Sequence, residues 1–227
     1  MGKLIKVKSM ARFSIIILIT TQVILLSACQ LSSLTSSFFK TPAGAVLYQD
    51  DFSDPSSGWE NYYDGEIGTM DYFDGFYRIQ VLGDHQMLST GPGLNFDNTR
   101  LDADMIKVVG QSDDMFGVVC RAADPENYYF FVISSDGYYG IGKVIAGEQA
   151  MLDSPGLLPS EIISQGKTKN HLRADCIAEQ LVLSVNGQEL ASVDDFDLTS
   201  GDVGILAATL MDTENVVLFD NFSVTNP

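Results

Sequence analysis

Positive charge is what this chain most lacks. Against 30 Asp and Glu it carries 13 Lys and Arg, and four of those, Lys3, Lys6, Lys8 and Arg12, fall in the first dozen residues. Without residues 1–28 the remainder holds 9 basic and 30 acidic residues, a net charge of −21. A field of that sign repels phosphate backbones and anionic membrane surfaces, so nucleic acid is excluded as a partner. Histidine is equally sparse, with His85 and His171 alone. A solitary histidine on a strand is more often a surface or hydrogen-bonded residue than a catalyst. The chain has no Gly-x-Ser-x-Gly elbow, no His-Glu-x-x-His pair, no Cys-x-x-Cys pair and no phosphate-cradling glycine loop. The chemistries those motifs carry are therefore unsupported. Long amphipathic helical patterns are missing as well. The abundant acidity has two readings: solubility, or attraction for cations, calcium above all.

The N-terminus has its own pattern. A positive leader is followed by Phe13 to Leu26, an almost wholly apolar run of about 14 residues. A spanning helix needs roughly 20, because the hydrocarbon core is about 30 Å thick. Charge, length and small-residue exit instead match an export signal. The run stops at Leu26-Ser27-Ala28-Cys29, which resembles a bacterial lipobox. That resemblance implies cleavage before Cys29 and lipidation of its thiol. The other reading is an ordinary signal peptide with a chance cysteine. Two acyl chains anchor a protein stably where one does so marginally. Residues 29–45, rich in Ser and Thr and ending near Pro42 and Gly44, read as a flexible tether. The expected organisation is a signal over 1–28, a lipidated tether over 29–45 and one domain over 46–227. Its expected place is the bacterial cell envelope, extracytoplasmic and lipid-anchored to a membrane.

Setting Cys29 aside leaves Cys120 and Cys176. An even remainder outside the cytoplasm reads as one disulfide; two free buried thiols are the alternative.

From Ala45 onward, short runs rich in β-branched and aromatic residues recur between Gly, Asp, Asn and Pro, the pattern of an all-β sandwich or barrel. Strands are expected at 46–52, 76–81, 100–109, 115–122, 128–134, 138–144, 171–177, 181–185, 189–193, 203–210 and 216–224, with 155–166 read as loop. Asn186-Gly187 suits a two-residue type I′ hairpin, since both positions need positive φ. Asp136-Gly137 reads the same way. A two-residue loop there would put Phe130 opposite Lys143, with Tyr128, Phe130, Ser134 and Lys143 on one face. A three-residue loop would invert the faces. Arg121, Tyr128, Phe130 and Lys143 then form a candidate carbohydrate-binding face, because sugars stack C–H faces on rings and accept hydrogen bonds from charged donors. The alternative is that Tyr128 and Phe130 pack under a loop such as 155–166. Trp59 reads as a core or loop anchor before a sugar platform.

The segments "YQDDFSDPSSGWE", "DGFYRIQV", "FGVVCRAADPENYYFFVISSDGYYGIGKV", "NHLRADCIAEQLVLSVNGQELASVDDFDLTSGDVGILA" and "VVLFDNFSV" follow in order. In that order they resemble the bacterial concanavalin A-like jelly rolls grouped with laminin-G-like domains and with the 3-keto-disaccharide hydrolase family. The resemblance spans nearly all of Leu47 to Val224. It implies a two-sheet antiparallel β-sandwich with one face that meets carbohydrate. It also implies a structural calcium near the paired terminal strands, at Asp51 and Asp220, for which the alternative is carboxylates that hydrogen-bond the chain ends. Laminarinase-like glycosidases of this fold carry Glu-x-Asp-x-x-Glu on one strand, and this chain has no such spacing. A retaining glycosidase needs its two carboxylates about 5–5.5 Å apart. No catalytic residues are therefore assigned, and hydrolysis of the laminarinase type is not expected; convergence of carboxylates from separate strands stays open. Three functions follow: a non-enzymatic module that binds a glycan or cell-surface polymer, a glycoside hydrolase, or an interaction domain that meets an envelope protein.

Overall fold

The computed structural model describes residues 41–211 and 213–227. The signal segment 1–28, Cys29 and the tether up to residue 40 lie outside the described residues. In chain order the strands are β1 (Val46–Asp50), β2 (Tyr62–Asp64), β3 (Gly68–Phe73), β4 (Phe76–Gly83), β5 (Met87–Thr90), β6 (Thr99–Val109), β7 (Met115–Asp124) and β8 (Asn127–Ser134). They continue as β9 (Tyr138–Ile145), β10 (Glu148–Met151), β11 (Leu158–Pro159), β12 (Asn170–Ile177), β13 (Gln180–Val185), β14 (Gln188–Asp194), β15 (Asp202–Ala208) and β16 (Thr213–Thr225). Strands β2, β3, β5, β10 and β11 fall where no strand was expected, and β11 lies inside the predicted loop.

Two antiparallel sheets form. The first runs β14-β13-β12-β6-β16-β4-β3-β2, with β1 also on β16; the second runs β10-β9-β8-β7-β15-β5, with β11 also on β9. The sandwich expected from the strand pattern is thus the fold observed. Its first and last strands pair, Asp50 facing Phe222.

Alternation explains the packing. On β6, Leu101, Ala103 and Met105 point inward and are buried, while Arg100, Asp102 and Asp104 point outward. Facing them from the second sheet are Phe116, Val118, Tyr129, Phe131, Ile133 and Ile205. Each large apolar side chain so buried contributes about 1.5–3 kcal/mol relative to exposure. Near the paired termini, Trp59 is 3 % exposed. It meets Phe52 and Phe222 edge to face with ring centroids 5.1 Å away in both cases, and its Nε1–H donates to Tyr48 Oη at 2.8 Å. Trp59 is a core anchor, as its sequence context implied. Cys120 on β7 and Cys176 on β12 are bonded and fully buried, so the disulfide staples one sheet to the other through the core.

The two glycine hairpins differ. Val185 faces Gln188, and Asn186 (φ 51°) and Gly187 (φ 83°) both take left-handed backbone, the expected type I′ turn. The β8–β9 hairpin departs from expectation. Ile133 faces Tyr139 and Phe130 faces Gly142, which leaves three residues, Ser135 to Gly137, in the loop. Gly137 alone of them has positive φ (96°), and its N–H donates to Ser134 O, the three-residue form with a glycine bulge. The one-residue slip moves Lys143 opposite Tyr129, onto the inner face.

Candidate functional site

The outer face of the second sheet is divided. Its greater part is dry. Met115, Val119, Phe130, Val132, Val144, Leu206 and Ala208 form a second apolar cluster, joined by Met87, Tyr128, Met151, Leu157 and Leu210. Met151 and Leu157, from the strand and loop after β9, lie over Gly140, where a Cβ would meet them at 2.3 and 2.9 Å. At Gly142 a Cβ would sit 2.1 Å from Phe130 Cζ. These glycines let a covering segment and a phenyl ring close onto the sheet. Phe130 is consequently sealed, with no ring face to offer a ligand.

The four residues expected on one face are therefore dispersed, for two reasons. The first is the hairpin slip. Lys143 Nζ bonds Asp195 and Asp197, both at 2.6 Å, while Tyr129 Oη donates to Asp195 at 2.6 Å. These carboxylates hold the ammonium above its ordinary pKa. Burial raises Asp195, but its bonds to Lys143 and Tyr129 outweigh that and bring it below the usual carboxylate range. The second reason is a bulge. Between Cys120 and Asp124 the β7–β8 register shifts, and Arg121 takes φ 51°. Its side chain turns away from the outer face and is 2 % exposed. There it donates to three carbonyls, of Ala178 at 2.6 Å, Leu198 at 2.9 Å and Asp97 at 3.4 Å. Arg121 ties three loops together, and alternation along "FGVVCRA" carries no sign of that bulge. Of the four, Tyr128 alone borders an open outer-face space.

That space is a depression of about 670 Å³ at the β5–β15–β7 end of the sheet. Tyr128 forms part of its wall, half-buried, with its hydroxyl 3.3 Å from Met87 Sδ. Burial raises the phenol's pKa, so it stays a neutral donor. Ser89, Thr90 and Asn95 line one side, Asp124 another, and Ser200 and Asp202 a third, around the backbones of Gly91, Gly93 and Gly201. Asp202 organises the wall: Oδ1 accepts from the Leu94 and Val203 amides, and Oδ2 from that of Gly93. Asp124 is similarly used, accepting from the Glu126 amide and the Asn127 carboxamide. The residues from β5, the following loop and the β14–β15 loop come together through strand pairing across more than a hundred residues, and no short motif announces them.

The predicted calcium ligands lie at the terminal strands. Asp51 lines a second, polar depression with Gln49, Asp50, Asn221 and Ser223. Its Oδ1 accepts from the Ser53 amide and hydroxyl, which lowers its pKa. Asp220 Oδ1 accepts from the Asn221 amide. Calcium takes about six to eight oxygen ligands. Among the described residues no three Asp, Glu, His or Cys side chains are grouped together, so further oxygens for a cation beside Asp51 and Asp220 would have to come from backbone carbonyls and amide side chains.

A charged network covers the outer face of the first sheet. His171 Nδ1 lies 2.9 Å from Asp104 and Nε2 lies 2.9 Å from Asp102. Arg173 bonds Asp102, and Lys169 and Asn221 bond Asp104. With a carboxylate at each ring nitrogen, the imidazolium is favoured and the His171 pKa is raised, through Asp102 first. Each carboxylate is matched by cations, and both ring nitrogens of His171 are held by hydrogen bonds.

No family model matches the chain, and no curated protein matches it. Solved structures do. The carbohydrate-binding module CBM66 from Bacillus subtilis aligns with TM-score 0.60 at 14 % identity, over 74 % of this chain and 95 % of that one. A Bacillus subtilis protein of unknown function with a galectin-like fold aligns with TM-score 0.60 at 14 % identity, over 82 % and 97 %. The catalytic domain of an endo-1,3-β-glucanase (laminarinase) from Thermotoga petrophila aligns with TM-score 0.56 at 8 % identity, over 80 % and 97 %. At such identities the likeness establishes the fold, a galectin-like jelly-roll sandwich, and leaves activity to the site.

Proposed function

We propose that this chain is a lipid-anchored extracytoplasmic protein of the bacterial envelope whose jelly-roll domain binds a glycan without cleaving it. The observation that carries the reading is the open depression beside Tyr128. A sugar offers hydroxyls that donate and accept, and apolar C–H patches. The depression offers Ser89, Thr90, Asn95 and Ser200 as two-way partners, Asp124 and Asp202 as acceptors, and the Tyr128 ring as wall. Both carboxylates already serve backbone amides or a carboxamide, which suits fixed acceptors better than a nucleophile and acid pair. The neighbouring structures of the same fold, a carbohydrate-binding module among them, support glycan as the ligand class. The lipobox-like "LSAC" at Cys29 supports the anchor.

A glycan array tests the binding. The folded protein is expected to select one glycan class, and Asn95→Ala and Tyr128→Ala to weaken that binding at least about tenfold, the loss of one or two hydrogen bonds and an aromatic contact. The bound glycan is expected to be recovered at unchanged length. A folded protein that binds no glycan would overturn the proposal and favour a protein partner in the envelope. Released shorter products would favour the hydrolase reading.

A further inference from the structure

One end of the sandwich interior holds a group of residues that the glycan reading does not use. Lys107 on β6 shares the inward face with Leu101, Ala103 and Met105 and is 4 % exposed. Its Nζ has no hydrogen-bond partner among the described residues. On the neighbouring strand, Lys107 faces Val217. Two residues before Val217, and on the same inward face, is Asn215, fully buried. Its Nδ2 donates to Met115 O at 3.2 Å and Ala208 O at 2.9 Å across the sandwich. Its Oδ1 is buried and unpartnered among the described residues. Beside them is Asp114, also fully buried, which accepts from the amides of Gln111 and Leu210. The position a Cβ would take at Gly110 is 2.8 Å from Asp114 Oδ2 and 3.1 Å from Asn215 Cα, so Gly110 brings the Asp114 carboxylate close to the Asn215 backbone.

This arrangement is hard to justify as packing alone. A buried ammonium without a hydrogen-bonded counter-ion is costly, as is an unpaired amide oxygen. Burial lowers the lysine's pKa against the opposing pull of Asp114, Asp113 and Asp136, which favours the free amine, the nucleophilic form. The amine and the carboxamide carbon are the two halves of an amide exchange, and a buried carboxyl beside them is the group that moves its protons.

We propose that Lys107 and Asn215 join in an intramolecular isopeptide bond, with Asp114 as the proton carrier. Lys107 Nζ adds to Asn215 Cγ. Asp114 takes the proton lost by Nζ and passes one to Nδ2, which leaves as ammonia. One C–N bond forms, one breaks, nothing is oxidised or reduced, and no other reactant is needed. The product is a neutral amide, leaves no amine to be charged in the interior and ties β16 covalently to β6.

Mass spectrometry of the purified full chain tests this after reduction, alkylation and trypsin. The spacing of Lys and Arg makes the readout simple, because no cleavage site follows Arg173. An acylated Lys107 resists trypsin, so residues 101–121 and 174–227 are expected as one branched species that survives reduction. It should be about 17 Da lighter than the two peptides together, the mass of one ammonia. In Asp114→Asn, which keeps both partners, the linked species is expected to disappear. Free peptides 101–107 and 174–227 from the unaltered protein would overturn the proposal whatever the variant does. A branched species that persists in Asp114→Asn would overturn the role given to Asp114.

Discussion

Reduction of the Cys120–Cys176 bond is the perturbation with the clearest magnitude. The bond joins β7 to β12 across the core, between residues 56 apart in sequence. In the chain-entropy account, a cross-link of that span removes about 4 kcal/mol of conformational freedom from the unfolded chain, and strain or residual structure in the reduced state lowers the measured value. Both sulfurs are fully buried, so reductant reaches them through unfolding. The comparison is therefore made by unfolding in denaturant with and without reductant, then refolding in each. Trp59 is the single tryptophan and is sealed in the core, which makes its fluorescence a direct probe. The reduced protein should be less stable by about 2–4 kcal/mol. For a domain of this size that lowers Tm by about 10 °C. Its m-value should rise, because a chain freed of the cross-link exposes more surface on unfolding. A difference below about 1 kcal/mol, with unchanged m-value, would refute the view that the bond acts by restricting the unfolded chain.

Two further outcomes follow from the charged groups. His171 has a folded-state pKa above its unfolded value of about 6.5, so its contribution is complete below that pH and is lost as pH rises through the folded pKa. The ring is 42 % exposed, and solvent screening limits the effect to about 0.5–1 kcal/mol; the stability gap between wild type and His171→Gln should shrink from pH 6 to pH 9 in denaturant melts, and a gap that stays constant would refute this. Arg121→Met should destabilise by about 2–4 kcal/mol, since it leaves three carbonyls without their shared donor, and Arg121→Lys should recover little of that because one ammonium lacks the planar fork; full recovery by lysine in the same melts would show that charge alone matters.

Much of the architecture was legible without coordinates, because it depends on local chemistry. Period-two alternation of β-branched and aromatic residues marks a strand whose two faces meet different surroundings. Asn186-Gly187 announces its turn because few other pairs accept two positive φ values. The pairing of Cys120 with Cys176 followed from parity. The short strands β2, β5, β10 and β11 carry few alternating residues and are held by their neighbours' ladders, while β3 alternates only over its first four residues.

The site was decided at another level. Whether Lys143 faces inward or outward depends on one extra residue in the β8–β9 loop, and the pattern of β8 gave no warning, since both of its faces are buried. Arg121 left the outer face because of a bulge that exists only where β7 meets β8 and β15. The depression beside Tyr128 joins Ser89 and Asn95 to Ser200 and Asp202, segments brought together by pairing across the sheet. Sequence alone determined that the chain would form strands, bury a sandwich core and carry an acidic surface, for these follow from each residue's own burial preference and backbone freedom. Register, bulges and long-range pairing determined which side chains meet, because they are set by the competition of every strand for partners at once.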